Sequence, residues 1–235
     1  MSTDLTPQGR RFLVFLSGIA LAGLAIAFLD RPASAWSHAV LHRMPVFAWL
    51  THIVDPLPPA AAVGLAVAGC AAAFGAWRPG KWGLTLIACG LSVVVSVAIK
   101  EQLKFAFGRM WPDTWVDHNP SWIANGAYGF RFFHGGEGWA SFPSGHMAII
   151  TSAMAVLWQR VRPLRWLWST LVAAVAVGLW GANFHFIGDI IAGAYLGAGC
   201  AAGVLALLPH LQANERSRGA VSPPPPACPL PPEVL

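Results

Sequence analysis

The chain has 235 residues, 56% of them hydrophobic and only 11% charged, with a formal net charge of +5 and a mean hydropathy of +0.56. A soluble surface draws on about a quarter charged residues, so this composition excludes a soluble globular domain and points to an integral membrane protein. The positive balance forms no basic stripe interleaved with aromatics, so nucleic acid is not an expected partner; in a membrane protein such charge marks cytoplasmic loops and anionic headgroup contacts.

Arg10 and Arg11 precede an apolar run over 12–29, the first expected span. Ala33-Ser34-Ala35 looks like a signal-peptidase site and Arg10-Arg11-Phe12-Leu13 like a twin-arginine signal. The apolar core is longer than the ~7–15 residues of a cleaved signal, so an uncleaved helix is expected. Residues 31–55 mix Trp, His and Arg with apolar positions and read as an interfacial or short re-entrant segment, broken by Asp55-Pro56-Leu57-Pro58-Pro59. A second span is expected over 60–77, rich in the Ala and Gly that let membrane helices pack closely. After the turn Arg78-Pro79-Gly80-Lys81, a third span covers 82–99 and continues as helix past Lys100 and Lys104.

The longest polar stretch, 109–140, reads as a structured loop at the membrane surface. Its Trp111, Trp115, Trp122 and Trp139 fit an interfacial aromatic belt, Lys100 fits a snorkelling lysine, and Asp113, Asp117, His118, His134 and Glu137 fit loop structure. A fourth span is expected over 143–160, a fifth over 166–180 and a sixth over 186–208. Residues 1–210 therefore read as one all-α integral membrane bundle of about six transmembrane helices. Residues 211–235 read as a Pro-rich tail expected to be disordered. Cys70, Cys89, Cys200 and Cys228 show no paired or metal-like spacing, so no disulfide is expected.

Basic residues orient the bundle. With a cytoplasmic N-terminus, inside segments hold Arg10, Arg11, Arg78, Lys81, Arg160, Arg162, Arg165, Arg216 and Arg218, and outside segments hold Arg31, Arg43, Lys100, Lys104, Arg109 and Arg131. The excess lies inside, as membrane topology asks. A multi-pass protein of the inner (cytoplasmic) membrane is expected. The ends of the third, fourth and sixth spans that carry polar residues then share the outer, periplasmic face.

Those ends bring together Lys104 with Arg109, Ser144-Gly145-His146, and His185 with Asp189. Pro143 and Ser144 mark a helix start, whose unpaired N–H groups and partial positive charge suit an anion. Asp189, one turn after His185, can accept from its Nδ1–H and aim Nε2 at phosphorus. An intramembrane carboxylate is a functional candidate in its own right. His146 would protonate the leaving oxygen, while Lys104, Arg109 and the N–H groups around Gly145 hold the equatorial oxygens. These cations and the helix end supply the positive charge, so neither a metal nor another cofactor is expected.

At these residues the sequence resembles the type-2 phosphatidic acid phosphatase superfamily of membrane lipid phosphatases, which shares its active-site pattern with vanadium haloperoxidases. The family carries a Lys followed after six residues by Arg-Pro, then Pro-Ser-Gly-His, then Ser-Arg with a His and an Asp four apart. Lys104 fits the first motif, Pro143-Ser144-Gly145-His146 the second, and His185 with Asp189 the end of the third. The resemblance implies that His185 is a nucleophile forming a phosphohistidine, Asp189 its orienting partner and His146 the general acid, with Ser144 and Gly145 on the phosphate. Two motif arginines are missing: Trp111-Pro112 stands for Arg-Pro, and Gly178-Leu179 for Ser-Arg. Arg109 is expected to fill the first vacancy and Arg131 the second. The implied function is hydrolysis of a phosphomonoester or diphosphate on a lipid at the outer leaflet. A lipid phosphotransferase using the same histidine, or a degenerate scaffold or transporter, are the alternatives.

Overall fold

The structure, a computed structural model, describes residues 6–41, 44–75, 79–116 and 118–219. Arg43, Trp77, Arg78, Asp117, Cys228 and the Pro-rich segment from 220 onward lie outside these, as do the side chains of Arg11, Arg216 and Arg218. The described residues form helices α1 (Pro7–Leu24), α2 (Asp30–Val40), α3 (Pro45–Thr51), α4 (Leu57–Ala73), α5 (Lys81–Phe107), α6 (Trp122–Asn125), α7 (Gly145–Arg160), α8 (Arg165–Gly181) and α9 (Ile187–Gly219). Among them no strand is longer than an isolated bridge.

Among the described residues, five segments are long and apolar enough to cross a membrane: Phe12–Val40, Pro45–Ala73, Lys81–Phe107, Arg162–Gly181 and Ile187–Pro209. Their outward side chains, such as Phe12, Phe15, Phe28, Val63 and Leu86, are largely exposed in the isolated chain, as lipid-facing residues are. The expected fourth span is different in kind. At 16 residues α7 is about 24 Å long, short of a hydrocarbon core of about 30 Å, and it occupies the centre of the bundle. Met147, Ala148, Ile149, Ile150, Ala153, Met154 and Val156 are all buried, as an all-round apolar helix must be.

α7 packs most extensively on α9 and then on α5. The α7–α9 contact is backbone on backbone. A Cβ at Gly193 would collide with the Ser144 carbonyl, and one at Gly197 with the Ala148 carbonyl, so two glycines one turn apart set the separation. This contact draws the start of α7 against the start of α9, where the Ser144 N–H donates to the Asp189 carbonyl at 3.1 Å.

Residues 30–40 differ from the interfacial reading. They continue the first helix as α2, making one 29-residue segment, Phe12–Val40. Pro32 would ordinarily break it, because a proline lacks the N–H and crowds the carbonyl four residues back. Here the turn Ala25–Leu29, which contains that carbonyl at Phe28, is widened to a π-turn. Ser34, in the segment that looks like a cleavage site, is buried and donates to Asn183 Oδ1 at 2.8 Å. At the far end α9 passes through Pro209 and continues to Gly219, beyond the expected domain boundary at 210.

The 109–140 stretch is irregular but ordered by its own contacts. Gly108 ends α5 in the left-handed region at φ +54°, a position where any Cβ would collide with the Arg131 carbonyl. Isolated bridges then join Arg109 to Phe130 and Ala140, and Trp111 to Ser121.

Candidate active site

The C-terminal end of α5 and the N-terminal ends of α7 and α9 meet at one cavity of about 450 Å³. Lys100 and Lys104 reach it from α5, Gly145 and His146 from the first turn of α7, and His185 from the residues that enter α9. Trp111 and Trp115 come from the loop. The two histidines thus face one space on one side of the bundle. Gly145 lets the Lys100 side chain lie against the helix tip, since a Cβ there would stand 3.1 Å from its Cδ. Lys100 also pairs with its neighbour Glu101.

The tip of α7 is capped by Ser144, whose Oγ accepts from the Met147 N–H at 3.5 Å. Ser144 is fully buried and does not line the cavity. Its placement is that of a cap beneath the site, and the unpaired N–H groups of the first turn are what the helix offers an anion.

His185 is 4% exposed. Its Nδ1 stands 3.6 Å from Asp189 Oδ2, an ion-pair distance too long for a hydrogen bond, and Nδ1 has no hydrogen-bond partner among the described residues. Contacts of this kind are commonly long without substrate and tighten when it binds. Burial pushes the His185 imidazole below its ordinary value, against the opposing pull of Asp189, and Lys104 adds to the lowering. Asp189 is fully buried. Its Oδ2 accepts from Ser141 Oγ at 2.6 Å and from the Phe186 N–H at 3.1 Å, and its Oδ1 accepts from Arg109 Nη1 at 2.5 Å.

Arg109 therefore stands elsewhere than expected. It does not line the cavity. It is fully buried behind Asp189, with Nη1 on Asp189 and Nη2 on Asp30 Oδ2 at 2.5 Å and on the Tyr128 hydroxyl at 3.0 Å. The Phe186 ring lies 4.6 Å from its guanidinium carbon. Burial alone would lower its pKa; Asp189 and Asp30 more than offset that and hold it above its usual value. Burial likewise pushes the Tyr128 phenol up to about 12. The physical reason for the correction is competition: two buried carboxylates outbid a partly exposed cavity for the one guanidinium. Arg131 is also displaced from expectation. It is exposed, outside the cavity lining, and stacks 4.9 Å over the Trp139 ring.

Five residues take places at the site that their sequence positions do not announce: Trp111, Trp115, Lys100, Asp30 and Asp55. Trp111, at the place of the family's motif arginine, packs against the His185 imidazole with ring centroids 5.0 Å apart, and its Nε1 donates to the Glu137 carbonyl at 2.7 Å. Trp111 and Trp115 belong to the cavity wall. Lys100 lines the cavity instead of only snorkelling. Asp30 carries a signal in the sequence: it is the one carboxylate in the whole 12–40 segment, where an acid is expensive without a partner. Asp55 also reaches the cavity, paired with His52 Nδ1 at 2.6 Å. Among the described residues no group of three or more His, Cys, Asp or Glu could hold a metal ion.

A family model described as the PAP2 superfamily matches residues 85–212. The chain is also similar to the crystal structure of a transmembrane PAP2-type phosphatidylglycerolphosphate phosphatase from Bacillus subtilis. The two are 18% identical, with 86% of this chain and 96% of that chain covered at a TM-score of 0.52. At that identity the likeness concerns the fold. No curated relative matches.

Proposed function

This chain belongs to the PAP2 superfamily, and we propose that it hydrolyses a phosphomonoester or diphosphate on a membrane lipid through a phosphohistidine at His185. The membrane phosphatase fold is the premise; the nucleophile, the lipid and independence from metals are the reading. The observation that supports it is the single cavity shared by His146, His185, Lys100 and Lys104.

In this reading the Nε2 lone pair of His185 attacks phosphorus while Asp189 stabilises the growing imidazolium charge. The bond from phosphorus to the lipid oxygen breaks, and that oxygen takes a proton from His146. A water then attacks the phosphohistidine, gives its proton to His146, and restores His185 as inorganic phosphate leaves. Lys100, Lys104 and the N–H groups at the tip of α7 hold the non-bridging oxygens, where transition-state charge collects. With Trp111 in place of a guanidinium, the clamp consists of point charges and a helix end, without bidentate contacts. A cavity at the ends of the spans lets the lipid tail remain in the bilayer. The N-terminus is read as cytoplasmic and the site as facing outward.

Purified protein in detergent is expected to release inorganic phosphate from lipid phosphates, equally with and without EDTA. His185→Ala should lower the rate by on the order of 10⁴-fold while leaving the fold intact. Full turnover by that variant would overturn the nucleophile assignment.

A further inference from the structure

Asp30 sits on the first helical segment, outside the residues 85–212 that the family model matches, yet it is built into the back of the site. It is fully buried at the start of α2, directly after the π-turn. Oδ1 accepts from the Gly188 N–H at 2.7 Å, and Oδ2 accepts from Arg109 Nη2. The approach is close enough to require glycine: a Cβ at Gly188 would stand 3.1 Å from Asp30 Oδ2 and 2.6 Å from Ile26 Cγ1. The π-turn is used too, because the Tyr128 hydroxyl that accepts from Arg109 donates to the Ile26 carbonyl at 2.6 Å.

The consequence concerns how the Arg109 fork is divided. A guanidinium facing a lone carboxylate takes both of its oxygens in parallel bonds. Here the fork is split between two carboxylates, one terminal nitrogen to each. Asp189 thus yields only Oδ1 to Arg109, and Oδ2 stays with Ser141, the Phe186 N–H and the face toward His185.

We propose that Asp30 is a positioning residue that holds Arg109 away from full capture of Asp189, keeping one carboxylate oxygen and a net negative charge directed at His185. Without Asp30 the fork turns onto both oxygens of Asp189, and the acid is neutralised by the arginine in place of the imidazolium. The other charged or titratable groups facing His185 are Lys100 and Lys104 from α5, His146 from α7 and Asp55 from the turn before α4. Around Asp30 they are Arg109, Tyr128 and Asp189. None of these substitutes for the lost charge.

This inference rests on the phosphatase reading for its catalytic meaning, but its test does not. Histidine titration by NMR in detergent micelles, with ¹³C-labelled histidine and His185 assigned by its loss in His185→Gln, reads the charge without any substrate. Asp30→Asn should lower the His185 titration midpoint by about one pH unit. If the protein turns over lipid phosphate, the same variant should lower kcat about tenfold with KM little changed. Asp30→Asn with Arg109→Met removes the fork as well, and should return the His185 midpoint to the wild-type value or above. Should the single variant not reach a folded state, the double variant carries the test alone. An unmoved midpoint in Asp30→Asn, or a double variant whose midpoint stays low, overturns the proposal. So does a loss of activity that only tracks the folded fraction. Absence of turnover in the wild type would instead count against the phosphatase reading and leave the titration to decide this one.

Discussion

Asp189 has two sides, and different physics governs each. In front of it lies the cavity, where Lys100 and Lys104 are only partly buried and bring flexible point charges to a space meant for a ligand. Behind it lie Asp30, Arg109 and Ser141, fully buried and joined by bonds of 2.5–2.6 Å. A partly solvated cation contributes little to folding, whereas removing one partner of a buried pair leaves an uncompensated charge and costs about 3–5 kcal/mol. Cations in one small region thus divide by burial: those in front line the cavity and are proposed to act on a ligand, and the one behind is held by the protein's own carboxylates.

The sharpest way to break that division is Arg109→Met. It strands two buried carboxylates, and thermal unfolding in detergent should show a loss of about 3–5 kcal/mol. Stability within 1 kcal/mol of wild type would place Arg109 with the cavity cations after all. Lys104→Met should do the opposite, raising KM for a lipid phosphate about tenfold with an unchanged unfolding midpoint. Next in size is the pH profile. Since burial lowers the His185 pKa, the acid limb of kcat/KM, where a histidine nucleophile becomes protonated, should lie below about 6.5. An acid limb above that value would contradict a buried, depressed imidazole. The smallest effect belongs to Arg131→Ala, which should change stability by less than about 0.5 kcal/mol and leave phosphate release nearly untouched. A large loss there would restore Arg131 as a phosphate ligand.

Much of this could be read along the chain. Long apolar runs with few charges dictate helices in a bilayer, so five of the expected spans appear as segments long enough to cross. The polar ends of α5, α7 and α9, which carry the motif residues, converge on one cavity. What failed had a common cause. The distance of Arg109 from a motif suggests a phosphate ligand, but its position is decided by Asp189 and by Asp30, which is 79 residues away in sequence. Trp111 resembles any interfacial tryptophan until the loop folds it against His185. The run 143–160 reads like its neighbours in hydropathy, and only its burial on every side shows that it is the central strut.

By itself, then, the sequence determined the membrane class, the helical elements and the helix ends that bear His146, His185 and Asp189, because hydropathy and turn chemistry are local properties of the chain. Tertiary structure alone decided which carboxylates share Arg109, which aromatic covers the imidazole and which helix lies at the centre. Those outcomes depend on the cost of burying charge and on the close approach at Gly188, Gly193 and Gly197, neither of which has a value until distant segments are packed together.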